Sequence, residues 1–221
     1  MYLKDSKTIV IKIGSSLIID DEKKIREKWL SDFAKDIKNL KKNKKNVILV
    51  SSGAIALGCK KLKINKKNLK LEKSQAVASI GQIELINLFK KTFEPKKINL
   101  SQILLTLEDT EKRRRAINAK RTFENLFSLD FVPIVNENDS TATTEIKYGD
   151  NDRLASRVAQ ISGADCLILL SDVNGLYTRN PKIDKYAELI KEIENIDEKI
   201  EKISTKSLSE YRSEERRVGK E

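Results

Sequence analysis

The strongest constraint on this chain is a rhythm. Short apolar runs at 8–13, 47–50, 103–105, 131–135 and 166–170 alternate with segments of helical periodicity. Runs this short and this rich in Ile, Val and Leu read as strands buried on both faces, with the intervening helices as crossovers. The expected fold class is therefore α/β, a three-layer αβα sandwich around a largely parallel central sheet. Helices are expected near 23–42, where Ile25, Trp29, Phe33, Ile37 and Leu40 share a face, and near 72–93, 112–128 and 152–162. The lysine-rich stretch 64–70 lacks periodicity and reads as a surface excursion.

Composition narrows the function classes. A chain of 221 residues with 39% hydrophobic content can bury one full core. No apolar run has the length of a membrane span, and the start shows no signal-peptide pattern, so a soluble cytoplasmic protein is expected. The net charge of +11 raises nucleic acid as a partner. Lysine far outnumbers arginine, however, and there is no zinc pattern, arginine stripe or aromatic interleaving for base stacking. The charge reads as solvated surface with some attraction for anionic substrates. Cys59 and Cys166 are isolated and read as small core residues. With no histidine in the chain, any mechanism must work without an imidazole base.

Chemistry concentrates where strands end. In KIGSS, Lys12 sits in an otherwise apolar strand and Gly14 lets backbone approach a ligand closely. In SSGAIA, a strand feeds Ser52 and Gly53 at a helix N-terminus, suited to a carboxylate or phosphate or simply to capping. In LLSDVNGLY, a strand ends in Ser171 and Asp172, and Asn174-Gly175 supports a tight turn or hairpin. The fourth stretch is PIVNENDSTATTEIKYGDND, residues 133–152, where amides and carboxylates crowd the end of an apolar strand. Such a cluster can hold a cation, an ammonium group or a metal–phosphate, and it can also be an ordinary turn. Neither a Walker A spacing nor a GxGxxG fingerprint is present.

In order, IVIKIGSS, LVSSGAIALG, QAVASIGQ, LLTLED, PIVNENDS, EIKYGDND and GADCLILLSDVNGLYTRNP resemble the amino acid kinase family, in its glutamate 5-kinase branch. The resemblance covers nearly all of 8–205. It implies ATP- and Mg²⁺-dependent phosphorylation of the γ-carboxylate of L-glutamate to L-glutamyl 5-phosphate, which enters proline biosynthesis. It implies that Lys12 contacts the ATP phosphates and stabilises the moving phosphoryl group, with Gly14 beside it. Ser52, Gly53, Asp139 and Asn151 match glutamate-binding positions, and Ser171 and Asp172 the nucleotide pair. Asp152 matches an acidic position that orients catalytic lysine, and Asp150 lies near the site. A homo-oligomer and feedback inhibition by proline are also implied. The alternatives are a family member with another acceptor, a regulatory pseudo-enzyme, or a basic nucleic-acid-binding protein.

Residues 212–221, RSEERRVGKE, resemble a translated sequencing-library adapter. The expected organisation is an amino acid kinase domain over 1–211, cut short, and a non-native tail over 212–221. The family continues into a glycine-rich GTGGMxTK segment with a further catalytic lysine, so the chain as written is expected to lack turnover.

Overall fold

A computed structural model describes residues 2–20, 22–65, 69–141, 151–181, 183–198 and 200. The chain divides into two compact units, at 1–170 and 171–221. In the first unit, five parallel strands form one sheet in the order β3-β4-β2-β1-β5. They are β1 (Thr8–Ile13), β2 (Asn46–Ser51), β3 (Asn99–Leu105), β4 (Phe131–Glu137) and β5 (Cys166–Leu170). All five apolar runs are strands. The helices are α1 (Tyr2–Asp5), α2 (Ser15–Ile18), α3 (Glu27–Lys42), α4 (Ala54–Leu62), α5 (Leu71–Phe93), α6 (Leu107–Glu111), α7 (Arg113–Ser128) and α8 (Asn151–Ser162). Parallel pairing requires crossovers between strands, and these helices supply them.

Side chains alternate between sheet faces, and the alternation sorts the core into two layers. Ile9, Ile11, Ile13, Val47, Leu49, Val132 and Ile134 pack in one cluster with α3 and α5, through Phe33, Leu85, Phe89 and Phe93. Phe33 and Phe89 each meet Phe93 edge-on, at 6.2 and 5.8 Å between ring centroids. Val10, Ile48, Val50 and Val135 point the other way, onto Ala119 and Phe123 of α7 and Leu154, Ala155 and Val158 of α8. The middle strands are buried on both sides, while β3 and β5 at the edges are more open.

Several details depart from periodicity. The 23–42 pattern becomes helix only at Glu27, because Ile19 and Ile25 pair in an antiparallel bridge before it. The helix expected near 112–128 is α7, and a separate short helix, α6, precedes it on a reciprocal cap between Thr106 and Asp109. After Gly14 the chain does not continue as loop: Ser15–Ile18 form one helical turn. Asp165 accepts hydrogen bonds from the backbone N–H groups of Thr8 and Lys7, both at 2.7 Å. These bonds pull its carboxyl below the usual range and tie the start of β1 to the entry of β5.

α4 and α5 approach unusually closely. A Cβ on Gly81 would lie 1.7 Å from the Ala54 carbonyl oxygen, and one on Gly58 would lie 2.1 Å from that of Val77. Only glycine permits this approach, which sets the middle of α5 against the first turn of α4.

In the second unit Tyr177 and Leu189 form an isolated antiparallel bridge, and the backbone of Thr178 bonds that of Glu188. Asn174-Gly175 lies in a bend before that bridge instead of turning a regular hairpin. Gly175 has φ +152°, backbone that glycine favours. Among the described residues, no helix is long and apolar enough to cross a membrane. The organisation expected at 212–221 lies outside the described residues.

Candidate active site

Lys12 owes its position to strand alternation. It follows Val10 by two residues and so shares the sheet face that carries α8. Its Nζ lies 2.7 Å from Oδ1 of Asp152, in the first turn of α8. The lysine side chain is 14% exposed and its partner 55% exposed, so the pair has a covered cation and an open carboxylate. Gly14 follows, and its N–H bonds the Leu170 carbonyl at 3.2 Å. A Cβ there would sit 3.8 Å from the Lys12 Nζ, so a side chain at this position would begin to crowd the cation.

The ends of β2 and β4 are built differently. Ser51 ends β2 fully buried, and Ser52 bonds back to the Ile13 carbonyl at 3.2 Å. Gly53 has φ +112°, which turns the chain sharply from strand into α4 and disfavours any other residue there. Asn151, buried at the first position of α8, gives its Nδ2 hydrogens to the Ser51 carbonyl (2.9 Å), Ser52 Oγ (2.9 Å) and Asn136 Oδ1 (3.0 Å). Asn136 in turn donates from Nδ2 to Gln82 Oε1 at 2.7 Å. Both hydrogens of Asn151 are thus committed inside the protein. What this side chain retains for a ligand is its Oδ1, an acceptor.

Asp139 follows the end of β4. Burial pushes its carboxyl up to about 6, because desolvation disfavours the charged form. A carboxyl held so far from its ordinary range is a candidate functional group, and a ligand cation would restore its charge. Ser171 and Asp172 belong to the second unit, where Ser171 Oγ donates to Asp172 Oδ1 at 3.2 Å. Asp150 and Gly149 lie outside the described residues.

Of the residues expected from sequence, Lys12 and Asp152 meet directly, and Ser52 and Asn151 share a hydrogen bond. Asn136, from the amide-rich stretch expected after the apolar run of β4, joins the same cluster, and so does Gln82, which the sequence did not mark as a site residue. The signal for Gln82 lay beside it, in Gly81, since a glycine inside a helix marks a close approach.

A match to the Amino acid kinase family covers residues 7–211. The chain belongs to that family. Among curated proteins, a glutamate 5-kinase of Pelagibacter ubique is 78% identical over 211 residues, covering 96% of this chain and 57% of that protein. A glutamate 5-kinase of Ruegeria sp. is 50% identical over 94% of this chain and 56% of its own length. One of Bartonella henselae is 51% identical over 92% of this chain and 54% of its own. The chain thus spans just over half the length of these amino acid kinase relatives.

Proposed function

We propose that this protein phosphorylates the γ-carboxylate of L-glutamate from ATP, forming L-glutamyl 5-phosphate in the first step of proline biosynthesis. The observation that carries this reading is the pairing, at one end of the sheet, of an oriented lysine with a network of neutral amides. It is joined to 78% identity with a glutamate 5-kinase.

The chemistry suits these residues. A glutamate γ-carboxylate has an ordinary pKa of about 4.3, so it attacks already ionised and needs no general base. One of its oxygens bonds the γ-phosphorus of ATP as the bond to the β,γ-bridging oxygen breaks, and ADP leaves. The obstacle is the approach of two anions. Lys12 offers its ammonium to the transferring phosphoryl oxygens, and Asp152 holds that ammonium in place. Asp139 suits the substrate ammonium, as does the Oδ1 of Asn151. Ser52 and the backbone at Gly53 close the same end, and Ser171 and Asp172 are the nucleotide side of the reading. Among the described residues no group of three or more His, Cys, Asp and Glu stands together to cage a metal. Mg²⁺ carried on the nucleotide would need few protein ligands, and Asp152, beside Lys12, is the carboxylate that could share it. When bound, the ion supplies neutralisation of phosphate charge. A homo-oligomer, proline as feedback inhibitor and a cytoplasmic setting belong to the same proposal and rest on the resemblance.

The test uses protein expressed from the full open reading frame, with ATP, Mg²⁺ and hydroxylamine to trap acyl phosphate as a hydroxamate. Trapped product with L-glutamate, and not with aspartate, carbamate or UMP, supports the reading. Preference for another acceptor would assign a different member of the family. Steep salt-dependent binding of DNA without ATP turnover would replace it with the nucleic-acid reading.

A further inference from the structure

The amides at the strand ends have a direction that one atom imposes. The Ser51 carbonyl oxygen can only accept, so the Asn151 atom 2.9 Å from it must be Nδ2. Asn151 therefore donates to Asn136, which must present Oδ1. Asn136 then has only Nδ2 left for Gln82, which must answer with Oε1. Turning any one amide over would set like atoms against each other at hydrogen-bond distance. The end of this sequence is the Nε2 of Gln82, which is buried and has no hydrogen-bond partner among the described residues.

The relay crosses the molecule. Gln82 belongs to α5, on the sheet face that carries Val132 and Ile134, and Asn136 continues that face of β4. Asn151 opens α8 on the opposite face. Leaving the Gln82 amino group without a partner is costly, and a helix seated by the Gly81–Ala54 contact sustains it.

We infer that Gln82 is a positioning residue for the acceptor-substrate site. Its Oε1 anchors Asn136, and through Asn136 it holds the acceptor oxygen of Asn151 in place for the substrate. This rests on the proposed function for the identity of the acceptor, but the relay itself does not. The hydrogen bond of Gln82 runs to Asn136, whereas Lys12 is paired with Asp152.

The test compares Gln82→Met, which removes the anchor, with Gln82→Glu, which keeps an acceptor of the same shape. Gln82→Met should raise the glutamate KM about tenfold with kcat and the ATP KM within about twofold, and Gln82→Glu should stay within about threefold of the parent. Equal KM values for Gln82→Met and the parent, or equal losses in both variants, would overturn the inference. A second measurement is independent of turnover. The side-chain amide hydrogens of Asn136, which donate to Gln82, should exchange slowly in the parent and in Gln82→Glu, and fast in Gln82→Met, by ¹H–¹⁵N NMR. Persistent protection in Gln82→Met would overturn the relay whatever the acceptor. Lost protection together with preference for another acceptor would sink the glutamate reading and keep the relay. Should Gln82→Met not fold, Asn136→Asp decides. Its new carboxylate still accepts from Asn151, and Gln82 can turn its spare Nε2 toward it. Adding Gln82→Glu then sets two carboxylates face to face. The double variant should lose about tenfold more in glutamate KM than the two single effects combined, and additivity would overturn the inference.

Discussion

Two strand ends lie side by side in this sheet, and they are made of different chemistry. The end of β1 carries full charges, Lys12 against an open Asp152. The ends of β2 and β4 carry neutral dipoles, with Asn151, Asn136, Gln82 and the serines locked in directed hydrogen bonds. Charge stabilises a phosphoryl group whose own charge redistributes, and an exposed carboxylate leaves the lysine free to change partner. Buried amides cannot follow moving charge, but they hold fixed positions without the desolvation cost of ions. Under the proposed kinase function, this difference divides the labour between turnover at β1 and recognition at β2 and β4.

The largest test of that division is Lys12→Ala. It should lower kcat by about a thousandfold, the scale of losing a charge-stabilising donor, and leave the glutamate KM within a few-fold. Steady-state kinetics in both substrates checks it, and a loss confined to KM would merge the two ends into one.

Asn151→Ala should do the reverse, raising the glutamate KM by about ten- to a hundredfold with a smaller change in kcat. It leaves Ser51 without its side-chain donor, so thermal unfolding should be measured alongside. If only the ATP KM moved, the amide end would not be a recognition site.

Asp152→Asn keeps the shape and removes the charge beside Lys12. A fall in kcat of about tenfold, with the glutamate KM unchanged, is expected from a lysine that is present but less well held. Unchanged kcat would mean the ion pair is incidental to turnover.

The smallest effect is a pH dependence from Asp139, whose carboxyl is raised to about 6 by burial. A raised acid contributes stability that is fully present below its ordinary pKa and is lost as pH rises through the folded value. Binding runs the other way, because a substrate ammonium favours the carboxylate. The glutamate KM should therefore climb severalfold as pH falls from 7 to 5, and Asp139→Asn should flatten that profile. A profile identical in parent and variant would place the ammonium elsewhere.

Much of the fold is legible in the sequence. The five strands emerged from runs such as TIVIKI and CLILL, because a strand buried on both faces must be apolar throughout. Three helices, α5, α7 and α8, were legible to within a residue, and the exception is α3. The segment before Glu27 has helical spacing but is spent on a bridge between Ile19 and Ile25, a tertiary choice that overrides local preference.

The site divides the same way. A lysine inside an apolar strand and a glycine before a helix declare themselves by residue type, since few residues tolerate those settings. Sequence thus determined that Lys12 and Gly53 are special, and that amides and carboxylates cluster after β4. It could not show that Lys12 faces Asp152, 140 positions later, because that depends on α8 packing on the face shared by Val10 and Lys12. Nor could it distinguish Gln82 from any glutamine on a long helix. Hydrogen-bond direction is a property of atoms brought within 3 Å of each other, and only the seating of α5 against α4 brings Gln82 to Asn136.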